Sequence, residues 1–315
     1  GDPVLRGALE FGMEGLLGAQ APNGGWGQQY DGPADPAAPV RRAQIPAEWP
    51  RIWPGVDYTR YYTLNDNNLE RVVELLLRAH ELEKDARYLD AAKRAGDFLL
   101  LAQFDEPQPV WAQQYNREME PAWARKFEPP AVCSTESLGA LRTLIAVWLA
   151  TGDEKYIEPH AAAFAWFGRS RLPDGRWARF YELGTNRPLY CMRETYEVTH
   201  DDGDLPTHYG FKIEGLDGDI ARMKEQMARG REALLRGRAG PADAKKWTSR
   251  AKALAGRVNS ALEAMGDKAY WAKDGWIDGA EFVTHVRVMA EYVEAARSGG
   301  EVFEKLRASA NPQVP

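Results

Sequence analysis

Leu69, Val72, Val73, Leu76 and Leu77 recur at the i, i+3, i+4 spacing, which places apolar side chains along one face of an α-helix. The polar run "EKDARY" follows as a turn, and a second helix is expected from about residue 89 to 103. The next stretch copies this plan. Leu138, Leu141, Ile145, Trp148 and Leu149 form one helix face, "TGDEKY" is the turn, and a second helix spans residues 157–170. Ser134 and Thr135 stand where N-caps are expected. Residues 3–20 read as the second helix of a hairpin that lacks its first. Phe282, Val286, Met289 and Val293 form another amphipathic stripe that could cover it. Two charged helical stretches, residues 216–238 and 242–265, flank the Gly240-Pro241 break and read as structural.

Between these hairpins a sentence recurs: "LLGAQAPNGGWGQQYD", "LLLAQFDEPQPVWAQQYN" and "FAWFGRSRLPDGRWARFYE". Each is a helix end, a Pro/Gly loop, a Trp (Trp26, Trp111, Trp177) and then a Tyr. The uneven spacing marks a degenerate repeat. The expected fold is all-α: an α/α toroid, an incomplete barrel of helical hairpins with long loops forming a cleft at one end. The alternative is a plain helical array with the Trp residues in its core. One domain over residues 1–315 is expected, with residues 212–315 closing or extending the ring.

Composition narrows the function. With 40 Lys+Arg against 46 Asp+Glu, the net charge is −6, which argues against general nucleic-acid binding but leaves room for a locally cationic cleft. No run approaches the ~20 apolar residues of a membrane span. Two cysteines, Cys133 and Cys191, make neither a disulfide framework nor a zinc motif. The chain opens at Gly1 with no signal peptide in view, so a processed chain is expected.

Against this acidic background, "WARFYELGTNRPLYCMRETYEV" carries Arg179, Arg187 and Arg193 among aromatics. Guanidinium groups beside aromatic rings suit a planar anion such as a carboxylate. Asp66, in "LNDN", is a hard oxygen donor or a helix N-cap. Trp26, Trp111 and Trp177 are sugar platforms or core. "HDDGD" (residues 200–204) lacks calcium-loop spacing and reads as a solvated loop. Arg187 reads as structural, pairing with a carboxylate such as Glu182. Cys191 reads as a small buried hydrophobe. His80, His160 and His285 show no metal spacing.

Five segments, "NGGWGQQY", "YYTLNDNNL", "VWAQQYN", "ARKFEPPAVCSTES" and "WARFYELGTNRPLYCMR", resemble the pectate lyases of polysaccharide lyase family ten, in that family's order and over the first two thirds of the chain. The resemblance implies an α/α toroid that cleaves polygalacturonate or a related polyuronate by β-elimination, with calcium as cofactor. It implies that Arg193 is the base and Arg179 a contact to the substrate carboxylate. Asn65 and Asp66 fall at the substrate and calcium site, and Trp26 and Trp177 in the substrate loops. It further implies an acidic polysaccharide partner, no nucleic acid or membrane, a monomer, and a secreted or periplasmic location. An arginine base is chemically awkward, since the guanidinium normally stays protonated; a cation and neighbouring arginines would have to favour its neutral form.

The sequence also departs from the family. Arg193-Glu194-Thr195 replaces the family's Arg-Asp-Gly, "LPTHYGF" (residues 205–211) lacks an arginine pair, and Asn116 stands where Asp is common. The family's front Ile-Asp-Asn motif is missing, but "WIDGAEFVTHVRVMAEYVEAA" resembles it, which makes Asp278 a second metal candidate or an ordinary N-cap. Two other functions stay open. One is a degenerate family member that binds polyuronate without cutting it. The other is a toroidal glycoside hydrolase, for which Asp66 with Glu182 or Glu194 would supply the two carboxylates.

Overall fold

The computed structural model describes residues 3–238, 244–266, 271–272 and 275–299. The chain divides into two compact units, residues 1–231 and 232–315. In the first, α1 (Pro3–Gly18) leads into a Trp loop, the hairpin α2 (Asn68–Glu83) and α3 (Ala86–Ala102), a second Trp loop, the hairpin α4 (Ser134–Thr151) and α5 (Pro159–Arg169), a third Trp loop, and α6 (Leu216–Arg229). The expected helices are all present. Lys84 ends α2 in the left-handed conformation and the Asp85 carboxylate caps α3 through the Arg87 N–H, so the polar run between them works as a stop and a start. Ser134 and Thr135 are not N-caps: α4 begins at Ser134 with Cys133 in the cap position and no side-chain cap. Their hydroxyls are used elsewhere, as described below. The charged stretch from residue 216 is two helices, because Gly230 (φ 74°) separates α6 from α7 (Arg231–Arg238). The Gly240-Pro241 break lies outside the described residues.

Each Trp loop is anchored in the same way. The indole N–H of Trp26 donates to Leu16 O, that of Trp111 to Leu99 O and that of Trp177 to Phe167 O, all at 2.8 Å. These carbonyls belong to the last turns of α1, α3 and α5, where helix acceptors run short of intrahelical donors, although Leu99 O also accepts from Gln103 N. Two loops add a tyrosine four residues later. The hydroxyl of Tyr115 donates to Ala102 O and accepts from Ala112 N; that of Tyr181 donates to Ser170 O and accepts from Ala178 N. Short antiparallel ladders join the loops side by side: β1 (Tyr62–Thr63) with β2 (Gln114–Tyr115), β3 (Val132–Cys133) with β5 (Phe180–Tyr181), then β6 (Pro188–Cys191) and β7 (Val198–Thr199). β4 (Trp177–Ala178) pairs with β8 (Lys212–Ile213).

An irregular segment, residues 31–60, crosses these loops. Ala43 N–H donates to Leu101 O, Trp123 Nε1 to Pro50 O and Trp53 Nε1 to Ala124 O, and Val198 N–H donates to Arg51 O.

The second unit holds α8 (Ala244–Met265) packed against α9 (Gly279–Gly299). Between them Trp271, buried, donates its indole N–H to Ala261 O at 2.7 Å. That is again a carbonyl ten residues upstream, as for Trp26 and Trp177, so the Trp anchor occurs a fourth time. The sequence reading missed this copy because "ALEAMGDKAYWAKDGW" has neither the proline nor the following tyrosine of the other loops.

Candidate functional site

Arg179 follows the Trp177 anchor, and two ladders fix its backbone: beside β3 and β5 Arg179 O accepts from Ser134 N, and beside β4 and β8 Arg179 N donates to Phe211 O. Its guanidinium is half-buried and held on three sides. Nε donates to Gly210 O at 2.7 Å, Nη1 donates to Thr135 Oγ1 at 3.1 Å, and the plane lies 4.7 Å from the centroid of the Tyr209 ring, a cation–π distance. Burial works against its charge. The acidic groups around it, Cys133, Tyr209, Glu136 and Glu128, outweigh burial and raise its pKa. Arg179 is therefore a fixed cation. Nη2 has no protein acceptor among the described residues.

Glu128 ties this arginine to the turn of Asp66. It is fully buried and takes a two-pronged contact from Arg125, whose backbone N–H it also accepts. The Tyr209 hydroxyl donates to its Oε1 at 3.1 Å and Asn65 Nδ2 approaches the same oxygen at 3.4 Å. A buried carboxylate needs this degree of pairing. Asn65 is thus buried and committed to Glu128. Asp66 next to it is exposed, and both Asp66 (φ 54°) and Asn67 (φ 58°) are left-handed. Two consecutive non-glycine residues in that region are strained, and such strain collects at functional sites. Neither turn here is capped by a side chain, so the capping role considered for Asp66 is not the one it plays.

Arg193 lies on the exposed turn between β6 and β7, its Nε 2.9 Å from Asp204 Oδ1. The same turn carries Tyr196, whose ring packs on Phe127 (6.2 Å) and under the Lys126 ammonium (4.1 Å). Phe127 in turn touches Tyr209 (4.6 Å). The arginine turn and the Arg179 platform therefore share one aromatic cluster, which also takes in His208 at 5.1 Å from Phe127.

Other candidates fall outside this cluster. Trp26 and Trp177 are 4% and 2% exposed with their N–H groups spent on helix carbonyls, so they offer no ring face to a sugar; they are core anchors. Glu182 pairs with Arg51 at 2.7 Å rather than with Arg187, and also accepts from Thr185. That locks it away from the carboxylate pair a hydrolase needs. The acidic run at 200–204 is likewise occupied: Asp201 accepts from Gly203 N, Asp202 pairs with Lys212, and Asp204 with Arg193. Asn116 closes its own turn by accepting from Glu120 N. Burial pushes the Cys191 thiol up to about 12. Asp278, in the second unit, accepts from Glu281 N at 2.8 Å and so caps α9.

Among the described residues no group of three or more His, Cys, Asp or Glu could hold a metal ion. Among the described residues, Asp66 is the one exposed carboxylate with a left-handed backbone. A calcium ion wants six to eight oxygens. The donor set therefore fits calcium only where an anionic ligand supplies oxygens alongside Asp66. Sequence reasoning also passed over Thr135, Glu136, Glu128 and Tyr209. Their types are ordinary, and only the tertiary contacts single them out.

Helical hairpins with laddered Trp loops hold an immobilised arginine over a tyrosine ring, and the family match makes the protein a lyase acting on polysaccharides. The family model for pectic acid lyase matches residues 2–176, more than half of the chain, and the chain belongs to that family. Among solved structures, a substituted family 10 polysaccharide lyase from Cellvibrio cellulosa in complex with trigalaturonic acid is similar with a TM-score of 0.54 at 20% identity, over 71% of this chain and 74% of that one. A second structure of a family 10 polysaccharide lyase from Cellvibrio cellulosa gives 0.50 at 20%, over 67% and 69%. That likeness establishes the fold, the α/α toroid expected from the hairpins. None of the curated proteins compared matches the chain.

Proposed function

We propose that this lyase cleaves polygalacturonate or a related polyuronate by β-elimination. The observation that carries the reading is Arg179, a half-buried cation locked on Tyr209 with Nη2 unclaimed. It is poised for a uronate carboxylate, which pairs best with a planar guanidinium. The solved neighbour in complex with trigalaturonic acid supports the same ligand class. Drawing charge from the carboxylate acidifies the C5 proton and stabilises the enolate-like state that forms when it leaves. A base takes the C5 proton, the electron pair becomes a C4–C5 double bond, and the glycosidic oxygen departs from C4 and is protonated. Arg193 is the proposed base. Its turn packs on the cluster that holds Arg179, and Asp204 would have to release it for the neutral form to be reached. Asp66, with substrate oxygens, would hold calcium. When bound, that ion supplies charge neutralisation at the carboxylate. A secreted or periplasmic location follows from such a substrate.

The test is incubation with a panel of acidic polysaccharides, reading ultraviolet absorbance. An elimination leaves an unsaturated, absorbing chain end on polygalacturonate. Reducing ends without absorbance would mean hydrolysis. Retention on a pectate affinity gel with no product under any metal condition would mean a binding protein.

A further inference from the structure

We infer that Thr135 and the buried Glu136 form a relay that fixes the plane of the Arg179 guanidinium, and so decides which edge of it an anion meets. The identity of that anion, a uronate carboxylate, rests on the reading above; the relay itself does not.

The argument is one of proton accounting. A threonine hydroxyl has one proton and two lone pairs. Arg179 Nη1 can only donate, so at 3.1 Å Thr135 Oγ1 is the acceptor. The hydroxyl proton must point elsewhere, and Glu136 Oε2 takes it. The Cys133 thiol points at the same carboxylate oxygen, and burial, first among its causes, pushes that thiol well above its ordinary range. Cys133 is therefore a donor here. Glu136 is 7% exposed and makes no direct ion pair among the described residues. A buried carboxylate without a compensating charge is costly, and the cation it faces is Arg179, through Thr135. The hydroxyl orients because both ends are charged: guanidinium on one side, carboxylate on the other.

The consequence is geometric. With Nε bound to Gly210 O, Nη1 to Thr135 and one face on Tyr209, the guanidinium cannot turn about its Cζ–Nε bond. Nη2 is the group left to meet a ligand. A carboxylate therefore finds a pre-oriented donor, and binding does not have to pay for ordering it. Thr135 touches Arg179, Glu136 touches Thr135, and both are positioning residues. They occupy the first turn of α4, within "CSTES", where the sequence offers Thr135 only as an N-cap.

Three variants test the relay: Thr135→Val, which keeps the shape and removes the hydroxyl; Thr135→Ser, which keeps the hydroxyl; and Glu136→Ala, which removes the acceptor. The readouts are the arginine side-chain nitrogen resonances of Arg179, calorimetric binding of trigalacturonate, and thermal melting to confirm folding. In the native protein and Thr135→Ser, Nη1 and Nη2 should give separate signals. In Thr135→Val and Glu136→Ala they should merge, as rotation resumes. Trigalacturonate should bind Thr135→Val about tenfold more weakly, the scale of one hydrogen bond to a charged group, while Thr135→Ser stays within about threefold of native. Separate signals and native affinity in Thr135→Val would overturn the inference. So would a Thr135→Ser variant as impaired as Thr135→Val, or an ordered guanidinium in Glu136→Ala. If the native protein does not bind trigalacturonate, the polyuronate reading fails, and the resonances alone decide the relay.

Discussion

At the residue scale the two arginines are in opposite situations. Arg179 is half-buried and held at three points; Arg193 is about half exposed and has one partner, Asp204. Arg193→Ala should therefore abolish elimination by lowering kcat while leaving the fold and pectate binding intact. Arg179→Ala should act chiefly on KM, if its contact is equal in ground and transition states. Steady-state kinetics on polygalacturonate separate the two, and near-native kcat in Arg193→Ala would assign the base elsewhere. His160 gives a stability prediction. It is fully buried, with ring nitrogens 3.1 Å from both Ile157 O and Leu141 O. Burial opposes its charge, the two carbonyls favour it, and burial wins, lowering its pKa from the ordinary 6.5. Below 6.5 the unfolded chain thus binds more protons than the folded one, so stability rises with pH through that window and levels off above it. On acidification from about pH 7 to about pH 5 the native melting temperature should fall more than that of His160→Gln.

At the element scale the loops depend on close approach to the helices. Gly24 in the first Trp loop has φ 93°, and a Cβ there would lie 2.0 Å from Arg94 O on α3. The obstacle is backbone and cannot swing away. Gly24→Ala should cost roughly 2–4 kcal/mol, seen as a fall of several degrees in melting temperature. Gly12→Ala on α1, where nothing lies within 4 Å of the added methyl, should leave stability unchanged or raise it by about 0.5–1 kcal/mol. Equal melting temperatures for the two variants would contradict this packing. Helix positions were legible because apolar spacing over two to four turns is a redundant signal. Helix starts were less so. "CST" at the start of α4 reads as a cap, yet Ser134 donates to Ala178 O of the neighbouring loop and Thr135 to Glu136 of its own helix, so tertiary and side-chain acceptors take both hydroxyls.

At the scale of the whole molecule, a chain of net charge −6 is expected to act on a polyanion. Long-range repulsion is then offset locally by the clamp and, on the proposed function, by a bridging cation. Chelation should abolish cleavage, and calcium rather than zinc should restore it, since Asp66 is a hard oxygen donor. Full activity in excess chelator would refute the calcium role. By itself the sequence determined the helical hairpins, the Trp-loop repeat and the family, because these rest on periodicity and on contiguous motifs that survive in one dimension. Only the tertiary structure decided what surrounds each functional side chain. Burial turned Trp26 and Trp177 into anchors, brought Arg51 from residues 31–60 onto Glu182, and gathered Glu128, Tyr209, Thr135 and Glu136 around Arg179. These partners lie far apart along the chain, Tyr209 from Glu128 and, further still, Arg51 from Glu182, and no local pattern encodes a hydrogen bond whose two ends are set by how separate loops stack.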